Sequence, residues 1–181
     1  MRASTSFGII AALALAAGFA AVSALAQDKN PSHGSAAGQT DVRGAVATEH
    51  TLLTPKDVKW GDPPPVLPSG AKFAVVEGDP KAAGRLVSFR LKMPDGYKIP
   101  AHFHPADEHV IVLQGTFNVG MGDKLDQSAG KALESGSFAI MPKGQHHYAW
   151  AKGETIVQVY AVGPWGLTYV NPADDPRKGK M

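Results

Sequence analysis

Seven short stretches, residues 72–76, 85–93, 109–114, 116–121, 137–141, 147–151 and 155–162, are rich in Val, Ile, Phe and Tyr. Turns such as Gly78-Asp79-Pro80, Pro94-Asp95-Gly96, Gly122-Asp123 and Lys152-Gly153 separate them. β-Branched and aromatic residues favour a pleated strand, and regular short strands with this punctuation leave a sandwich or a barrel as the economical folds. A helical pattern of three turns is not found after the first 26 residues, and residues 126–133 read as one helical turn or a loop. The expected fold is therefore all-β.

The ends are of another kind. Arg2, an uncharged apolar run over 7–22 and the small-residue signal Ala24-Leu25-Ala26 predict a cleaved signal peptide over 1–26. The protein is then expected to be periplasmic or secreted, with no membrane association after cleavage. Residues 27–50, rich in Ser, Gly, Ala and Gln, predict a flexible leader that holds His33 and His50 without a role. Residues 51–71, with Trp60 and Pro63-Pro64-Pro65, suit an extended arm better than a helix. A barrel is expected over 72–170 and a solvated tail over 171–181. The formal net charge is +2, and +1 once Arg2 is removed, with no basic stripe, so nucleic acid is not an expected partner. The chain has no cysteine, which excludes disulfides, thiolate metal ligands and cysteine nucleophiles.

One constellation carries chemistry. His102 and His104 lie one residue apart, and strand side chains alternate, so both face one side with Phe103 on the other. Glu108 follows four residues after His104 and can join them if the chain bends at Pro105. A third imidazole, His147, follows the turn Pro142-Lys143-Gly144. Adjacent strand residues face opposite ways, so only one of Glu108 and His109, and one of His146 and His147, can face inward. Spacing from Gly115 and Gly144 favours Glu108 and His147, with His109 and His146 as the alternative ligands. Burying three imidazoles and a carboxylate would be costly without a cation. The set suits one divalent transition metal ion, which could be Fe, Mn, Cu, Zn or Ni.

The segment running from Gly96 through His102, His104 and Glu108 to Gly115 resembles the first cupin motif, and that from Gly136 through Pro142 and Gly144 to His147 resembles the second. The resemblance spans about residues 72–162 and implies a single double-stranded β-helix, the jelly-roll barrel. With Gly163-Pro164-Trp165-Gly166 and Asn171-Pro172, the wider chain is similar to exported single-domain bacterial cupins. The second motif usually ends in Asn four residues after its histidine, where this chain has Ala151. That leaves the ligand set intact but weakens transfer of any particular activity.

Four protein ligands leave one or two coordination positions for water or a small molecule. The expected function is a metal-dependent, dioxygenase-like oxidoreductase acting on a small, partly apolar molecule, with Glu108 as ligand and catalytic proton acceptor. The alternatives are a non-catalytic cupin that binds a small ligand or metal, and a metal-dependent isomerase or lyase. Tyr148, Trp150, Gln158, Tyr160, Phe117 and Met121 are read as core packing rather than pocket lining. Exposed sheet edges and the arm suggest a homodimer.

Overall fold

The computed structural model describes residues 50–178. The expected signal peptide and, His50 apart, the expected leader lie outside the described residues. The strands are β1 (Lys72–Glu77), β2 (Leu86–Met93), β3 (Lys98–Phe103), β4 (Glu108–Met121), β5 (Lys131–Glu134), β6 (Phe138–Met141), β7 (His147–Val162) and β8 (Thr168–Tyr169). A single 3-10 turn, Pro172–Asp174, follows, capped by the Asn171 side chain accepting from the Ala173 N–H. No helix among the described residues is long and apolar enough to cross a membrane.

Every pairing is antiparallel, and two long strands organise the whole. The first half of β7 pairs with β3 and the second half with β2, while β4 runs beside β7 along both halves. One half of the sheet therefore holds β8, β3, β7, β4 and β5, and the other holds β1, β2, β7, β4 and β6. This is the jelly-roll arrangement, all-β as expected. The sequence divides β4 and β7 at Gly115 and Gly153, but each runs on as one strand. Gly115 takes φ 74°, a left-handed conformation open to glycine, so β4 turns from one half of the sheet to the other without ending. The register with β7 shifts on either side of Gln114, as a bulge does. Of the residues expected as a helical turn or loop, 126–130 form a loop, but 131–133 enter β5, because Lys131–Glu134 pair with Thr116–Val119.

Alternation sorts the side chains. In β2, Val87, Phe89, Leu91 and Met93 enter the core, as do Val157, Val159 and Ala161 of β7. Full burial of an aliphatic or aromatic side chain contributes roughly 1.5–3 kcal/mol. On the opposite face of β3 and β7, Ala101, Tyr148 and Trp150 form a second cluster, packed against Leu125 and Val170. Gly130 lies against the Trp150 ring, where a side chain would collide with it. Gly61 exchanges both backbone hydrogen bonds with Phe73, at 2.9 and 3.0 Å. From there residues 62–68 lead Leu67 into the core, and the Tyr97 and Tyr169 hydroxyls donate to the carbonyls of Pro68 and Val66.

Candidate metal centre

His102 lies one residue before the end of β3 and pairs with His147 at the start of β7. Their rings lie 4.3 Å apart, centroid to centroid. His104 follows in the loop after β3, where its carbonyl accepts from the Gly144 N–H at 3.0 Å. That bond ties the histidine pair of the first motif to the turn that launches His147. Glu108 comes from the other half of the sheet, opening β4 opposite Met141 of β6. The group thus sits between the two halves, at one end of the barrel.

All four side chains are buried, at 3 % exposure for His102, 2 % for His104, 7 % for Glu108 and 2 % for His147. The histidines offer ligand nitrogens that lie within 4.8 Å of one another. Each ring is fixed from behind. His102 Nδ1 donates to the Pro100 carbonyl at 2.7 Å, His104 Nδ1 to Gly166 at 2.7 Å and His147 Nδ1 to Gln145 at 2.9 Å. A carbonyl oxygen can only accept, so Nδ1 must carry the hydrogen, and a neutral ring then leaves the Nε2 lone pair free. A hydrogen bond from one ring nitrogen to a backbone oxygen is the usual support of a metal-binding histidine.

The Glu108 Oε2 atom lies 3.4 Å from His104 Nε2 and 3.7 Å from His147 Nε2. His104 Nε2 is buried with no hydrogen-bond partner. Burial lowers the pKa of His102 to about 3, helped by charge on His147 and His104. His104 moves the other way: burial pulls it down, but the Glu108 carboxylate outweighs that and raises it. Burial would raise Glu108, yet His104 and His147 hold it well below the usual carboxylate range. An ionised carboxylate facing three buried imidazoles, one with an unpartnered nitrogen, is a donor set that a divalent cation fits.

The neighbouring histidines lie elsewhere. His109 is half-buried with its ring 6.0 Å from Phe138, and His146 Nδ1 bonds to Asp123 Oδ1 at 2.7 Å while its ring stacks on Phe103. Neither belongs to the His102, His104 and His147 group. Of the aromatic and polar residues considered from sequence, Phe117 lines the cavity beside the histidines, and Tyr148 and Trp150 pack on the opposite face. Gln158 and Tyr160 bond to each other, and Met121 is exposed.

The cavity is small, about 30 Å³, and apart from the histidines and Glu108 its wall is largely apolar, including Leu67, Phe89, Phe117 and Leu167. Trp165 completes it, stacked on His104 at 5.2 Å and edge-on to Phe89 at 4.6 Å. Sequence reasoning did not place Trp165, Phe89 or Leu67 at the site. The Gly163-Pro164-Trp165-Gly166 run was the one signal for Trp165, since an aromatic between glycines just after a strand suits a close backbone approach.

The Cupin domain family matches residues 89–163. A search of curated proteins finds germin-like protein 9-1 of Oryza sativa subsp. japonica, 31% identical over 162 residues, 86% of this chain. The match spans 62% of that relative's length. Among solved structures, the polyketide cyclase RemF of Streptomyces resistomycificus superposes with a TM-score of 0.55 at 19% identity, covering 74% of this chain and 94% of RemF. A candidate acetylacetone dioxygenase of Methylibium petroleiphilum PM1 also gives 0.55, at 16% identity, over 71% of this chain and 85% of that one. At these identities the two structures speak for the fold.

Proposed function

This chain belongs to the cupin superfamily, and we propose from its buried donor set that it is a metal-dependent oxidoreductase of the dioxygenase type, acting on a small, partly apolar molecule. The observation that carries the reading is three buried imidazoles whose ligand nitrogens lie within 4.8 Å of one another, each ring held by a backbone carbonyl, with the Glu108 carboxylate beside His104 and His147. His102, His104, Glu108 and His147 would hold the ion. A bound transition metal would supply a Lewis acid and, for Fe, Mn or Cu, access to dioxygen chemistry. The chain's own part is to keep the rings oriented, to exclude bulk water behind an apolar wall, and to offer Glu108 Oε2 as a proton acceptor. The likeness to a candidate acetylacetone dioxygenase makes β-diketones sensible first substrates. Export, which the pattern of the first 26 residues supports, would place metal loading outside the cytoplasm.

The cavity's size favours a second reading, a protein that holds a metal or a small ligand without turnover, since about 30 Å³ admits little more than one or two waters. The experiment is metal analysis of protein isolated from its native compartment, followed by oxygen uptake with acetylacetone and simple phenols. A redox-active metal with substrate-dependent uptake is expected. Stoichiometric zinc and no uptake with any of these compounds would favour the second reading, and protein that binds no divalent metal would defeat both.

A further inference from the structure

The donors of the metal centre come from two halves of the sheet, and one short turn joins them. Glu108 opens β4 opposite Met141, the last residue of β6, in one half. His147 opens β7 and pairs with His102 in the other. The chain passes from Met141 to His147 through residues 142–146 alone. The Gln145 N–H closes this turn on the Pro142 carbonyl at 3.0 Å, and the Gln145 carbonyl holds His147 Nδ1 at 2.9 Å. Where the turn lies therefore sets how the His147 ring is held. Two successive amides tie it to the loop between β3 and β4. The Gly144 N–H donates to the His104 carbonyl at 3.0 Å, and the Lys143 N–H donates to Asp107 Oδ1 at 2.7 Å. The first bond runs between backbone groups, which any residue at position 104 offers. The second depends on a side chain, and among the described residues only Asp107 and His147 bond to the backbone of residues 142–145 through their side chains.

We propose that Asp107 is a positioning residue of the metal centre: by holding the Lys143 amide, it fixes the turn whose Gln145 carbonyl orients His147 beside Glu108. This rests on the four buried side chains being a metal site. Asp107 and Glu108 are neighbours with separate tasks. Glu108 is buried beside His104 and His147, while Asp107 is exposed and reaches the turn. Asp107 bonds to none of the metal-holding side chains and acts through the backbone. Without its oxygen the Lys143 N–H turns to water, and the turn is tied to the loop by one amide instead of two. His147 can then swing away from Glu108 Oε2, which lies 3.7 Å from its Nε2. Groups bonded directly to metal-binding side chains typically change metal affinity by about 10- to 100-fold. The Asp107 bond is one step further out and open to water, so an effect of about three- to ten-fold is expected.

The test measures zinc affinity of the full protein by chelator competition, with the visible absorption of the cobalt(II) form as a second readout of donor geometry. Asp107 is exposed, so its variants are expected to fold. Asp107→Ala removes the acceptor, and zinc affinity is expected to fall about three- to ten-fold with a shifted cobalt spectrum. Asp107→Asn keeps an oxygen acceptor without the charge, and is expected to stay within about two-fold of the wild type with the wild-type spectrum. Asp95→Ala is the matched control, because Asp95 Oδ1 accepts from the Gly153 N–H at 2.6 Å, the same kind of bond made further along β7. It is expected to lower the thermal midpoint while leaving zinc affinity and the cobalt spectrum unchanged. Three results overturn the proposal and leave the metal reading intact. The first is an Asp107→Ala protein with wild-type affinity and spectrum. The second is Asp107→Asn as weak as Asp107→Ala, which makes charge rather than the bond the cause. The third is an equal loss in Asp95→Ala, which makes general stability the cause. A wild type that binds neither zinc nor cobalt overturns the metal reading and this assignment with it.

Discussion

Taking the metal-free protein from pH 7 to pH 5 is expected to cost it about 2 kcal/mol of stability, and His102 is the cause. The side chain is 3 % exposed, and burial lowers its pKa to about 3 from the ordinary 6.5 of a histidine. Between those values the unfolded chain takes up a proton that the fold refuses, so stability falls as the pH falls. A single such group contributes about 0.2 kcal/mol of loss at pH 7 and about 2 at pH 5, with a limiting slope near 1.4 kcal/mol per pH unit. Of its neighbours, Glu108 acts below this window, and His104 works against the loss at the window's upper edge. His104, whose pKa is raised, contributes stability that is complete below 6.5 and is lost only as the pH climbs through its folded value. Glu108, whose pKa is lowered, contributes stability that is lost only as the pH falls below the ordinary glutamate value of 4.5. For roughly 130 ordered residues the unfolding entropy is about 0.27 kcal/mol/K, which converts 2 kcal/mol into about 7 °C.

The assay is thermal unfolding of chelator-stripped protein, followed by circular dichroism at pH 7, 6 and 5, beside His102→Asn. The variant lacks the titrating ring, and its midpoint is expected to be lower at neutral pH but nearly flat across the window. A wild-type midpoint that does not move, or a slope that survives undiminished in His102→Asn, would refute the assignment of this proton to His102.

Two further outcomes follow from the same geometry. Glu108→Gln keeps the shape of the side chain beside His104 and His147 but removes its charge, and metal affinity is expected to fall ten- to a hundred-fold or more; an unchanged Kd in a competition titration would remove Glu108 from the site. Gly115→Ala places a side chain at φ 74° against the Glu154 carbonyl and the Thr155 backbone, 3.0 Å from its Cα, and is expected to cost about 2 kcal/mol or more in a denaturant titration.

Much of this was open to a reading of the residues alone, for reasons that differ from place to place. Strands β2 and β6 show themselves by composition, and the His102 and His104 spacing predicts a shared side, which holds although His104 lies just past the end of β3. The continuity of β4 was hidden, because Gly115 looks like a turn until its partner strand is known, and only the register with β7 shows the chain bending through it. β5 is short and carries Lys131 and Glu134 on an exposed edge, so tertiary pairing rather than propensity makes it a strand. Tyr148 and Trp150 read as core and are core, but of a second cluster that the loop over residues 122–130 covers. What local pattern could not give was the cavity's far wall. Leu67, Phe89 and Trp165 reach it from three separate parts of the chain, and no spacing rule links them.

That separation explains why the loop after β7 matters more to the centre than its length suggests. Residues 163–167 supply the carbonyl that orients His104, the indole that stacks on its ring, and Leu167 of the cavity wall. His104 is also the one ligand nitrogen whose buried lone pair lacks a partner. A change in this loop therefore acts on metal and ligand together, whereas a change at β1 or β5, at the sheet margins, meets the centre only through general stability. Two chains could share all four metal-holding side chains and still differ in what they admit, because the barrel fixes the donors and this loop sets what may lie beside them.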